Sequence, residues 1–180
     1  MLGLKRYTVA LVEHHSEWSV YATNRCQEIR NACRNHIVDI QHVGSTSIPD
    51  IPAKPIIDIA IGVQDLNCIK DLKEILQSMS YIYRGVGEGS SGHLFIRESG
   101  HDIRTEHIHV NIAGSSHWED HIGFRDIMRS NASLREEYAD LKRELARRFS
   151  EDRKSYTHGK HDFIQKVLNQ HHDSLGKAKQ

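Results

Sequence analysis

The chain has 180 residues, with 24 Lys+Arg balanced by 24 Asp+Glu. That length is enough to bury a core without disulfides or a structural metal, and a formal net charge of zero excludes the basic surplus of a general nucleic-acid binder. No apolar run approaches the roughly 20 residues that span a bilayer. No apolar leader opens the sequence, and the three cysteines lack Cys-x-x-Cys spacing and read as reduced thiols, so a cytoplasmic protein with no membrane or nucleic-acid contact is expected.

In chain order, residues 1–13 are mixed and read as extended. Ser16 stands at an N-cap position, and Trp18, Tyr21, Ala22, Cys26, Ile29 and Cys33 recur at three-four spacing, which predicts a helix over 17–35. The β-branched segment 37–43 predicts a strand that runs into the small polar turn Gly44-Ser45-Thr46-Ser47. Pro49, Pro52 and Pro55 keep the next segment irregular. Strand periodicity is clearest over 55–63, where Ile57, Ile59, Ile61 and Val63 share one face and Ile56, Asp58 and Ala60 the other.

Leu66, Ile69, Leu72, Leu76 and Met79 mark a helix over 66–79, and a short strand is expected at 81–84. The Gly/Ser-rich stretch 85–92 reads as a loop with the composition of a closing lid. Two strands follow, 93–98 and 104–112, joined through Ser99-Gly100. In the second, Glu106, Ile108, Val110 and Ile112 alternate with Thr105, His107, His109 and Asn111. From Ser115 onward the pattern is helical. Capping boxes at Ser116-His117-Trp118-Glu119 and Ser133-Leu134-Arg135-Glu136 open two helices, and a third spans 158–171. The expected architecture is α+β: one domain over 1–172, a mixed sheet with flanking helices and a C-terminal helical portion, then a polar tail over 173–180.

Three constellations carry chemistry. The Gly44-Ser45-Thr46 turn after a strand can offer amides and hydroxyls to phosphate oxygens. Asp58 is an acid inside an apolar strand, with no packing reason to be there; a carboxylate there suits a divalent cation that bridges phosphates. His107 and His109, two apart on a strand, project the same way and with Asp58 make a His/carboxylate set. Lys54, Arg97, Arg104, Lys142 and Lys160 come from different elements and are suited to anions. By strand parity Arg104 shares a face with Glu106. His14, His15, His117, His121, His158, His161, His171 and His172 read as solvated, with His158 and His161 able to approach a ligand from the last helix.

The block His42-Val43-Gly44-Ser45-Thr46-Ser47-Ile48-Pro49, followed by Ala53-Lys54-Pro55-Ile56-Ile57-Asp58-Ile59, resembles the GrpB (UPF0157) family. Looser matches at Arg97, Arg104, His107, His109, Trp118, Tyr138, Lys142, Tyr156, Lys160 and Phe163 extend the resemblance over most of the chain. It implies a nucleotidyltransferase-like fold and a transferase activity on an unknown substrate. On that resemblance Asp58, His107 and His109 would be catalytic and metal-binding. Gly44, Ser45, Thr46, Lys54, Arg97 and Lys160 would hold a nucleoside triphosphate or another phosphorylated small molecule. The cofactor would be a divalent cation: Mg, or else Mn or Zn. The acid-x-acid pair usual on this strand is Asp58-Ile59-Ala60 here, so the second acid is absent. That keeps two alternatives open: a binding module without transfer, and a His/Asp metal-dependent hydrolase.

Overall fold

The computed structural model describes residues 2–86 and 92–177, the side chains of 171–177 excepted. Six strands form one mixed sheet: β1 (Leu4–Lys5), β2 (Asp39–Val43), β3 (Ile57–Val63), β4 (Tyr81–Val86), β5 (His93–Gly100) and β6 (Ile103–Ile112). The order is β2-β3-β6-β5-β4, with β1 paired to β6. Only β3 and β6 run parallel; the other pairs are antiparallel. The parallel pair sits in the middle, where both faces are covered, as such pairs require.

One face of the sheet carries the main core. The alternation Ile57, Ile59, Ile61, Val63 meets Ile108 and Val110 of β6, and α1 (Glu17–Ala32) and α2 (Ile69–Ser78) cover them with Trp18, Ala22, Ile29, Leu72 and Leu76. Each Ile, Val or Leu among them contributes about 1.5–3 kcal/mol by leaving water. The other face, over β2 and β3, meets α3 (Ser116–Ser130) through Val43, Ala60 and Trp118. Beyond it, α4 (Ala132–Arg148), α5 (Arg153–His158) and α6 (His161–Lys177) pack around Ile48, Ile51, Met128 and Tyr138, and around Val9, Leu145 and Tyr156.

Several boundaries differ from expectation for local reasons. The caps of α3 and α4 are Ser115 and Asn131, whose side chains accept from the amides of Trp118 and Leu134, rather than Ser116 and Ser133. The helix expected over 158–171 is α6, starting at His161, and a short helix not expected from the sequence, α5, precedes it; between them Gly159 packs against Leu145, where a Cβ would stand 2.5 Å from Leu145 Cδ2. α6 continues to Lys177, into the segment expected as tail. β4 runs on through Val86, and residues 87–91 of the expected loop lie outside the described residues. No helix among the described residues is long and apolar enough to cross a membrane.

Candidate functional site

The parallel register places Asp58 opposite His107 and Ala60 opposite His109, with all four side chains on the face away from the main core. Asp58 Oδ1 lies 2.9 Å from His107 Nδ1 and 3.5 Å from His109 Nε2. The three side chains each offer one ligand atom, all within 4.8 Å of one another. Burial alone would raise the Asp58 pKa, but hydrogen bonds and charge from His107 and His109 overcome it and hold the carboxyl well below its usual range. His107 is pushed the other way: burial lowers its pKa against the pull of Asp58. Its Nε2 lies 3.3 Å from Arg153 Nη2. An arginine only donates, so Nε2 accepts and Nδ1–H donates to Asp58, and the neutral tautomer is set from both sides.

The turn after β2 closes over this carboxylate. Gly44 has φ +71°, and a Cβ there would lie 2.5 Å from Asp58 Oδ2. Only glycine combines that backbone with that approach. Thr46 is buried, and its hydroxyl is engaged by His42 Nε2 at 3.0 Å. Ser45 hydrogen-bonds the Tyr138 side chain, whose pKa burial pushes up to about 12.

These groups line a cavity of about 470 Å³. Lys54, Arg104, Arg153 and Lys160 also line it, and Asp58 is the single carboxylate among the described lining residues. Burial depresses Lys54 to about 7, helped by Arg153 and Lys160, and depresses Lys160 to about 8. Both ammonium groups lie against the Tyr156 ring, 5.1 Å and 4.7 Å from its centroid. A cavity where cations outnumber anions four to one favours an anionic ligand, which would restore the charge its lysines lose.

The structure thus brings together Gly44, Ser45, Thr46, Lys54, Asp58, His107, His109 and Lys160. It does not bring Arg97: that side chain lies on the core face, where Nη1 donates to Glu106 Oε1 at 3.0 Å. Arg104 corrects the parity reading. Between β5 and β6 the register steps from Arg97↔Glu106 to Glu98↔Arg104, so Thr105 is an extra residue on β6 and everything before it changes face. Lys142 is buried away from the cavity, with its ammonium donating to the Pro52 carbonyl and its pKa lowered by burial to about 6. His121, expected in solvent, lines the cavity with its ring 4.9 Å from that of His109, and burial lowers its pKa to about 4. Arg153 escaped the sequence reading because nothing local marks it within a charged helical stretch.

Comparison with known proteins shows the family and the fold. The family described as GrpB protein matches residues 8–170. The Glutamate-rich protein GrpB of Alkalihalophilus pseudofirmus is 31% identical over 173 residues, covering 94% of this chain and 99% of that one. The crystal structure of conserved protein GrpB from Enterococcus faecalis superposes with a TM-score of 0.82 at 24% identity, over 95% of this chain and 100% of that one. More distantly, the Cid1 poly(U) polymerase superposes with a TM-score of 0.53 at 10% identity, over 76% of this chain and 44% of that one, a likeness of fold.

Proposed function

The chain belongs to the GrpB family, and from that premise we propose that the Asp58 cavity binds a nucleoside triphosphate with a divalent cation and transfers its nucleotidyl group to a small-molecule acceptor. The observation that carries the reading is the convergence of Lys54, Arg104, Arg153 and Lys160 on a cavity whose floor is an Asp58-His107-His109 cluster. The distant fold neighbour is a polymerase described with MgGTP bound, and this reading extends that ligand type to the chain.

The residues fit a metal by their donor set. One carboxylate and two imidazoles within 4.8 Å suit Mn or Zn better than Mg, which prefers oxygen ligands throughout. A cation held by Asp58, His107 and His109 would polarise a phosphoryl oxygen. The chain's own groups do the rest. Lys54 and Lys160 would bind the phosphates and regain full charge on doing so. Gly44 lets the turn close directly onto the Asp58 carboxylate. To join a cation, His107 would give up the Nδ1 proton it shares with Asp58, and Arg153, released from Nε2, would face the ligand. In transfer, the acceptor oxygen or nitrogen bonds to the α-phosphorus, the bond to the bridging oxygen breaks, pyrophosphate leaves and the acceptor proton passes to water.

A second reading is favoured by Ala60, which is fully buried against Val43 and Trp118 where a second acid would stand. On that reading the cavity binds a phosphorylated metabolite without transfer. Thermal unfolding with each nucleoside triphosphate and Mg, Mn or Zn, beside Asp58→Ala, tests binding. Ligand at about 100 times its Kd adds roughly 2.7 kcal/mol of stability. A shift that needs nucleotide and cation together, and is lost in the variant, supports the nucleotide site. Release of labelled pyrophosphate then separates transfer from binding alone. A shift with Zn alone redirects attention to hydrolysis, and no shift with any triphosphate sinks the reading.

A further inference from the structure

A second basic cavity adjoins the first. It measures about 770 Å³ and is lined by Arg6, Tyr7, Arg104, Arg153, Lys154 and Thr157, among others. Arg104, Arg153 and Thr157 line both cavities, so the two share a wall. The described lining holds four Lys and Arg side chains and no acid. The nearby acids are poorly placed: Asp102 reaches Arg6 only at 3.9 Å and Glu98 reaches Arg104 Nε only at 3.9 Å, both beyond hydrogen-bond range. In a chain with equal numbers of acids and bases, this excess is local.

Arg104 makes the case specific. Its side chain is 14% exposed, and its Nε is buried with no hydrogen-bond partner among the described residues. The extra residue at Thr105 turns it into the shared wall instead of the Glu106 cluster. There, burial and repulsion from Arg153, Arg6 and Arg84 outweigh the pull of Glu98 and work against its charge. A buried unpaired donor among like charges costs folding free energy unless an anion completes it.

We propose that the groove of Arg6, Arg104, Arg153 and Lys154 is a second anion site, which takes the phosphate of a phosphorylated small-molecule acceptor while the Asp58 cavity holds the nucleotide. The inference rests on the nucleotide reading for its partner ligand, but the anion site stands on its own residues. Guanidinium forks suit phosphate, and Arg153 lies between this groove and His107. A phosphate held on its outer side directs the rest of the acceptor across the shared wall toward Asp58. The absence of an overall basic surplus favours a small anion over a nucleic-acid strand.

The test uses the full chain and a double variant, Arg6→Ala with Lys154→Ala, both outside the Asp58 cavity. The bond from Arg153 to the Arg6 carbonyl is a backbone contact and survives the change. Inorganic phosphate is titrated calorimetrically into each protein, with and without saturating adenosine triphosphate and Mn. The wild type should bind phosphate even when loaded with nucleotide. Loaded with nucleotide, the double variant should bind phosphate at least tenfold more weakly than the loaded wild type, with its nucleotide affinity changed less than twofold and its melting temperature kept. Loss of phosphate binding on nucleotide loading, or equal phosphate affinity in the variant, overturns the second site. Phosphate binding that the double variant weakens, without nucleotide binding, leaves the site standing while the nucleotide reading fails; nucleotide binding without phosphate binding does the reverse. An octauridylate that binds a hundredfold tighter than phosphate, and is weakened by the double variant, overturns the small-molecule assignment in favour of nucleic acid.

Discussion

Ala60 is the residue on which the chemistry turns. It sits on Asp58's face of β3, 0% exposed, under the Trp118 ring. Its methyl is packed, so the position cannot be read as a second acid waiting to be restored. Ala60→Asp should force a carboxylate between Val43 and Trp118, where the packed methyl leaves no space, and lower stability by about 3 kcal/mol or more, measured by urea unfolding. It should not raise the number of Mn ions bound at saturation. A second bound ion in a stable variant would show that the site accepts the two-metal arrangement after all. Gly44 is constrained in the opposite sense, because its lack of a side chain lets the turn reach Asp58.

At the scale of the element, β6 does two jobs by alternation. It sends His107 and His109 to the cavity and Glu106 into the core. Glu106 is fully buried but well paired: the Tyr21 and Tyr81 hydroxyls and Arg97 Nη1, at 3.0 Å, donate to it, and Arg25 Nε stands 3.2 Å away as an ion pair without hydrogen-bond alignment. This cluster anchors the strand on one face so that the histidines are held on the other. Glu106→Ala would leave two guanidinium groups and two phenols without their acceptor, and should cost about 3–5 kcal/mol in urea unfolding. Arg97→Ala, by contrast, should leave nucleotide binding within twofold of wild type. A tenfold loss in calorimetric titration of Arg97→Ala would put that residue back in the ligand site.

At the scale of the whole molecule, two buried histidines and three buried lysines share one direction. Burial lowers His42 and His121 to about 4, Lys142 to about 6, Lys54 to about 7 and Lys160 to about 8. In the unfolded chain these groups return to roughly 6.5 for histidine and about 10.4 for lysine. Between pH 5 and 9 the unfolded chain therefore binds more protons, so stability rises with pH over that window and falls as acid charges the buried groups. Discounted for partial solvent access, urea unfolding should show a gain of about 2 kcal/mol from pH 5 to pH 7 and a further rise to pH 9. A profile that is flat or falls over this range would contradict the burial of these cations. Saturating phosphate should flatten its upper part, by stabilising charged lysines.

What the sequence determined by itself is the set of local and periodic facts. Strand alternation over β3 and β6 put Asp58, His107 and His109 on polar faces and Glu106 on an apolar one, and the block around Gly44 and Asp58 carried the family. These follow from neighbours two to four residues away, where backbone geometry leaves few choices. The tertiary structure alone decided how those faces meet. A single extra residue at Thr105 reversed the face of Arg104. Arg97 found a buried acid and left the cavity to Arg153, which comes from the far end of the chain. Trp118, remote in sequence, closed the position beside Asp58. Such partners are chosen by packing and charge pairing between distant segments, and no period in the sequence encodes them.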